Sequence, residues 1–130
     1  MTRDTSPAPA SPLAVFRDYL ARGELAYQYD AARNRPVFHP RVIGPGSGNP
    51  DLQWRVSAGT GTVYAVTVIS PRGEDPYNVV LVDMDEGFRL MSRVDGVPPD
   101  EVRIGMRVRA EAHQPGDGQP PYPIFRPEAA

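Results

Sequence analysis

Arginine offers this chain its most usable chemistry. All 14 basic residues are Arg and none is Lys, set against 16 Asp and Glu. A guanidinium presents a planar fork of donors that grips phosphate bidentately, whereas Schiff-base catalysis and a P-loop both need the missing Lys. Arg89 and Arg93 fall on one face of a strand pattern, and Arg107 and Arg109 on one face of another. Arg41, Arg55 and Arg72 sit in or beside loops. The first candidates for holding the phosphates of a ligand are therefore Arg41, Arg55, Arg72, Arg89 and Arg93. The competing reading is a solvated outer face, with arginines paired to carboxylates such as Glu111 or Asp83.

Catalysis finds less support. His39 and His113 have no partner at a spacing that would make either a base or a ligand, and they read as surface histidines. A metal site from His39, His113 and Asp30 is conceivable, but no spacing supports it. Asp83, Asp85 and Glu86 crowd one stretch. Paired carboxylates do acid–base work, yet a hairpin turn wants the same residue types for local hydrogen bonds, and the turn is the favoured reading. Cys is absent, which rules out disulfides, thiolate nucleophiles and Cys-ligated metal. No G-x-S-x-G elbow, P-loop or dinucleotide fingerprint occurs. A small enzyme is disfavoured because no nucleophile–base pair can be assembled.

The elements that must position these residues follow from periodicity. With 40% hydrophobic and 23% charged residues over 130 positions, one globular domain with short appendages is expected. The 16 Pro and 12 Gly gather at the ends and around residues 44–50, marking tails and turns. A net charge of -2 gives no global pull toward nucleic acid or an anionic membrane. No apolar run spans a bilayer, and the first residues lack a signal-peptide core, so cytoplasmic residence is the default. Residues 1–10 read as a disordered tail. Ser11 is an N-cap and Pro12 a first helical residue, and Leu13, Phe16, Tyr19 and Leu20 recur at helical spacing until Gly23. Residues 24–51 hold short strand pieces at 25–29 and 36–38 and then a loop, with too few apolar residues for a core of their own. From residue 52 the pattern is β, with strands at 61–70, 77–84, 88–94, 106–113 and 122–125, and one helical turn at 98–101. On 88–94, Phe88, Leu90 and Val94 share one face while Arg89, Met91 and Arg93 share the other. Several short antiparallel strands with a long gap before the fourth suggest a Greek-key barrel. Its buried set should include Tyr64, Val66, Val80, Val82, Phe88 and Leu90.

The order of strings GELAYQ, PVFHPR, DLQW, GTGTVYAVTVI, PYNVVLVDMDEGFRLMSRV and IGMRV resembles the bacterial and archaeal family of acyl-CoA-associated OB-fold proteins with an N-terminal rubredoxin-like zinc ribbon. The resemblance spans residues 12–125. It implies a mainly β protein: a helix at 11–23, a zinc-ribbon-like segment at 24–51, and a five-stranded OB-fold Greek-key barrel over 52–126. The family's two CxxC knuckles fall on Asp30 and Arg33, and on Gly44 and Ser47. None is Cys, so the resemblance implies a ribbon remnant with its metal lost and no cofactor. In its place, Tyr27, Tyr29, Val37 and Phe38 are expected to cluster, Arg33 to pair with Asp30, and the 44–50 loop to be loose.

The implied role is that of a non-catalytic accessory subunit of a thiolase-like or enoyl-CoA hydratase-like enzyme, with coenzyme A or acyl-CoA as the implied ligand. Phe16, Tyr19, Leu20 and Phe38 are the candidate partner contacts, against the plainer reading that the helix packs on its own barrel. The alternative function is a stand-alone OB-fold module for a small ligand or single-stranded nucleic acid. The slightly acidic balance disfavours nucleic acid.

Overall fold

The computed structural model describes residues 11–128; the expected tail at 1–10 lies outside them. The chain opens with helix α1 (Pro12–Ala21). The Ser11 hydroxyl accepts the Ala14 N–H at 3.1 Å, and Pro12 occupies the first turn, where its missing N–H costs nothing. Gly23 closes the helix at φ +83°, its N–H returning to the Leu20 carbonyl at 2.9 Å.

A small antiparallel sheet follows, built from β1 (Ala26–Asp30), β2 (Arg35–Val37) and β3 (Gln53–Val56) in the order β2-β1-β3. Here the structure departs from the expected boundary at residue 52. The QWRV strand does not open the barrel; Trp54 pairs with Gln28 and Gln53 with Tyr29. The reason is hydrogen-bond accounting. β2 covers one edge of β1, and without β3 the other edge would leave its N–H and C=O groups unpaired beside a buried strand.

The barrel begins at β4 (Thr60–Ile69) and continues through β5 (Tyr77–Met84), β6 (Arg89–Ser92), a 3-10 turn (Pro99–Glu101), β7 (Arg107–His113) and β8 (Tyr122–Pro127). Its order is β6-β5-β4-β7-β8. The two edges meet where Val94 bridges Phe125 in parallel, with Asp95 N–H to the Phe125 carbonyl at 2.8 Å and Phe125 N–H to the Arg93 carbonyl at 3.0 Å. That parallel seam closes five strands into an OB-fold barrel. Asn78, buried, supports the seam by bonding both backbone groups of Val94, at 2.8 and 3.0 Å.

Period-two alternation places Val80, Val82 and Met84 inside the barrel together with Phe88, Leu90 and Val94. Val66 is half-buried against this core. Tyr64 is a correction: it is 51% exposed. A β-bulge between Val63 and Ala65 inserts one residue and turns Tyr64 outward, and the Arg89 guanidinium lies 3.6 Å from its ring centre.

One core runs through both lobes. Phe88 stacks on Tyr27 at 4.7 Å and on Phe38 at 5.2 Å, and Phe38 meets Phe16 edge-on at 5.5 Å. The segment too poor in apolar residues to fold alone thus borrows its core from the barrel and the helix. Among the described residues no helix is long and apolar enough to cross a membrane.

Candidate functional site

Two turns face each other at the far end of the small sheet. The first joins β1 to β2 and carries Asp30 and Arg33; the second is the 44–49 loop. Asp30 is 1% exposed. Its carboxylate accepts the Ser47 hydroxyl at 2.5 Å, the Asn49 amide at 3.0 Å and the Ala32 N–H at 3.0 Å. The Ser47 bond, then that of Asn49, holds the Asp30 carboxyl below its ordinary range. Gly44 is needed for this approach, because a Cβ there would overlap both the Asp30 carboxylate and the Ser47 hydroxyl. The loop closes on itself through Gly44 N–H to the Asn49 carbonyl and Gly48 N–H to the Gly44 carbonyl, each 2.8 Å.

These facts correct two expectations. Arg33 makes no ion pair with Asp30; its guanidinium lies against Gly46, in the space a side chain would fill. The 44–50 loop, expected to be looser without metal, is tied to Asp30 by hydrogen bonds, because a buried carboxylate demands donors and the loop supplies them. The same facts test the implied metal. A tetrahedral zinc needs four nitrogen or sulfur donors or exposed carboxylate oxygens. Here Asp30 is saturated with hydrogen bonds, Ser47 donates to it, Gly44 has no side chain and Arg33 is a cation. The four positions do not fit zinc. Among the described residues no group of three His, Cys, Asp or Glu is placed to hold a metal.

The arginines divide into two sets. Arg89 is held by Asp83 at 2.5 and 3.3 Å, and Arg93 by Asp95 at 3.0 Å. Arg107 forks onto Asp85 with two bonds of 2.8 Å, and Thr60 donates a third; together they pull the Asp85 carboxyl down to about 2. Arg109 lies 4.0 Å from Glu128. Arg89 and Arg93, counted among the phosphate candidates, therefore do structural work, as does the carboxylate turn. Glu86 accepts Ser57 Oγ and Ala58 N–H, both at 2.8 Å, tying the β3–β4 connection to the β5–β6 turn. Arg55 covers the Tyr29 ring at 3.6 Å, and Arg72 is exposed in the β4–β5 loop.

Arg41 behaves differently. Gln28 bonds both its backbone groups, at 2.6 and 2.8 Å, which fixes the chain and leaves the guanidinium uncommitted. With Arg33 and Arg35 it lines a cavity of about 160 Å³. Sequence reasoning singled out Arg41 but missed Arg33 and Arg35 as its companions. The available signal was the RNRP turn, whose two arginines a β-hairpin brings to one end.

The candidate partner contacts Phe16, Leu20 and Phe38 are a further correction. Phe16 and Leu20 are buried and Phe38 half-buried, all within this chain, while Tyr19 stacks on Trp54 at 5.7 Å. Phe16, Tyr19 and Leu20 pack the helix onto its own fold, while Leu13 stays exposed. His39 is exposed beside Phe38, and the His113 ring sits 5.0 Å from that of Tyr122.

Residues 54–113 match the family described as ChsH2, C-terminal OB-fold domain. The chain is 38% identical over 118 residues to the probable enoyl-CoA hydratase alpha subunit of Thermomonospora curvata, a match covering 78% of this chain and 37% of that protein. It is 36% identical over 110 residues to the 3-oxo-4,17-pregnadiene-20-carboxyl-CoA hydratase alpha subunit of Mycobacterium tuberculosis, covering 80% of this chain and 34% of that one. The chain thus spans about a third of the length of these curated relatives. Among solved structures, a chain of the Ltp2-ChsH2(DUF35) aldolase superposes with a TM-score of 0.79 at 32% identity, over 95% of this chain and 100% of that one.

Proposed function

The chain belongs to the ChsH2-type (DUF35) family of acyl-CoA-associated OB-fold proteins, and on that premise we propose that it is a non-catalytic accessory subunit of an acyl-CoA-processing enzyme, hydratase-like or thiolase-like, acting in the cytoplasm. The observation that carries this reading is the match over the whole described fold, small sheet and barrel together, to a chain of an aldolase complex. The site geometry agrees with a supporting role. The Asp83, Asp85 and Glu86 carboxylates are each taken up by an Arg, Thr or Ser partner, so none of these three stands free as a base. The cationic cavity at Arg41 is suited to the phosphorylated part of coenzyme A rather than to bond-breaking.

Association tests the reading. The full chain is mixed with the hydratase-like or thiolase-like subunit of its own source and followed by sedimentation velocity. A joint species heavier than either component is expected. Independent sedimentation at concentrations well above the micromolar range removes the accessory role.

A further inference from the structure

We propose that the cavity between the β1–β2 turn and the 44–49 loop is a phosphoryl site that takes a phosphate monoester or pyrophosphate group of a ligand. Three arginines line it from three places: Arg33 from the turn, Arg35 from β2 and Arg41 from the segment beyond β2. Val37, Phe38 and Pro45 supply an apolar wall. At about 160 Å³ the space is well below the several hundred Å³ of a site that swallows a whole small molecule, so it fits one group of a larger ligand.

The charge balance favours an anion. The ion pairs of the described residues fall on Arg22, Arg89, Arg93, Arg107, Arg109 and Arg126, so the cavity's three arginines carry no acidic partner among those residues. One carboxylate, Asp30, lines the cavity, and its oxygens are already engaged by Ser47, Asn49 and the Ala32 N–H. Three cations against one hydrogen-bonded anion leave a net positive cavity. The frame is also rigid where it must be. Gln28 holds the Arg41 backbone from both sides, and Gly46 gives Arg33 a surface to lie on.

Arg41 has a second neighbourhood. It also borders a groove of about 550 Å³ lined by Pro12, Val15, Val42, Leu52 and Trp54. A ligand with a phosphorylated end and a long, weakly polar arm could occupy both. The proposed function enters here only in choosing coenzyme A as the probe.

Calorimetric titration of the full chain with coenzyme A, dephospho-coenzyme A, pantetheine and inorganic phosphate tests the site. Coenzyme A should bind, phosphate should compete with it, and pantetheine, which has no phosphate, should bind at least tenfold more weakly. Loss of binding in dephospho-coenzyme A assigns the cavity to the 3′-phosphate; retained binding assigns it to the pyrophosphate. Arg33→Gln and Arg41→Gln should each weaken coenzyme A about tenfold or more, as expected for removing a charge-assisted bond, while Arg109→Gln should not. All three arginines are exposed, so the variants should melt like the parent. Coenzyme A or phosphate that binds equally to Arg33→Gln, Arg41→Gln and the parent overturns the site. So does a parent chain that joins its enzyme subunit yet binds neither ligand, and that outcome leaves the accessory reading intact.

Discussion

Phe88→Ala probes the joint between the two lobes. Phe88 is buried and its ring stacks between Tyr27 of the small sheet and Phe38 beyond β2. Truncating a buried Phe costs about 3–5 kcal/mol through lost transfer energy and the residual cavity. Each aromatic contact adds about 0.5–1.5 kcal/mol beyond area, so the upper half of that range, about 4–5 kcal/mol, is expected. A domain of this size holds about 5–15 kcal/mol in all. For a chain of this length, between the size classes for which 1 kcal/mol shifts the melting temperature by about 2–4 and 4–8 °C, the drop should be roughly 12–20 °C. Circular dichroism melts give that number, and hydrogen exchange gives its distribution. Because Phe88 contacts β1 through Tyr27, the amides of β1 and β2 should lose protection along with those of β5. Tyr64→Ala is the matched control, since an exposed ring on a bulge should cost no more than about 1 kcal/mol. A loss below 1 kcal/mol in Phe88→Ala, or full protection of β1 while β5 opens, would show that the lobes do not share one core.

Replacing Asp30 by Ala should speed exchange at Gly44, Gly48 and Asn49 at least tenfold without changing Val80 and Val82, because the carboxylate holds the loop and the adjoining β1–β2 turn but nothing in the barrel; equal rates in both proteins refute the clasp. Untagged protein dialysed against a chelator should hold no zinc and melt unchanged, and one zinc per chain by elemental analysis contradicts the reading of Asp30, Arg33, Gly44 and Ser47. Asp85 sits at about 2 in the fold against about 3.9 in an unfolded chain, so its pairing with Arg107 stabilises fully above about pH 5 and fades as pH falls toward 2. The melting difference between parent and Asp85→Asn should therefore be constant from pH 5 to 7 and shrink below pH 4; a difference that grows on acidification contradicts that sign.

The barrel was legible because period-two patterning is clear in β5 and in the segment that leads through β6. YNVVLVDM and FRLM place their buried residues where alternation puts them, and β5 spans the residues read from the sequence. Tyr64 was misplaced because one extra residue in a bulge inverts the alternation locally, and nothing in GTVYAV marks where that residue falls. The boundary at residue 52 left QWRV on the barrel side because strand propensity carries no information about the partner; β3 pairs instead with the open edge of β1. The site was half legible. The positions of the lost ligands could be read from the resemblance, but their replacement could not. It depends on Asn49, which lies 19 residues from Asp30, and on Gly44 making room for both. The arginines were legible only in part, for a related reason. Strand spacing put Arg89 and Arg93 on the outer face, where Asp83 and Asp95 claim them, whereas the three left uncommitted around the cavity come from a turn, a short strand and a loop.

The measurement that bears most directly on the accessory role is acyl-CoA turnover by three samples: the chain alone, the hydratase-like or thiolase-like subunit of the same source alone, and the two mixed at equal concentration. The chain alone should show no turnover, and the mixture should turn over well above the rate of the isolated subunit. Turnover by the chain alone, or a mixture no faster than the subunit by itself, contradicts it.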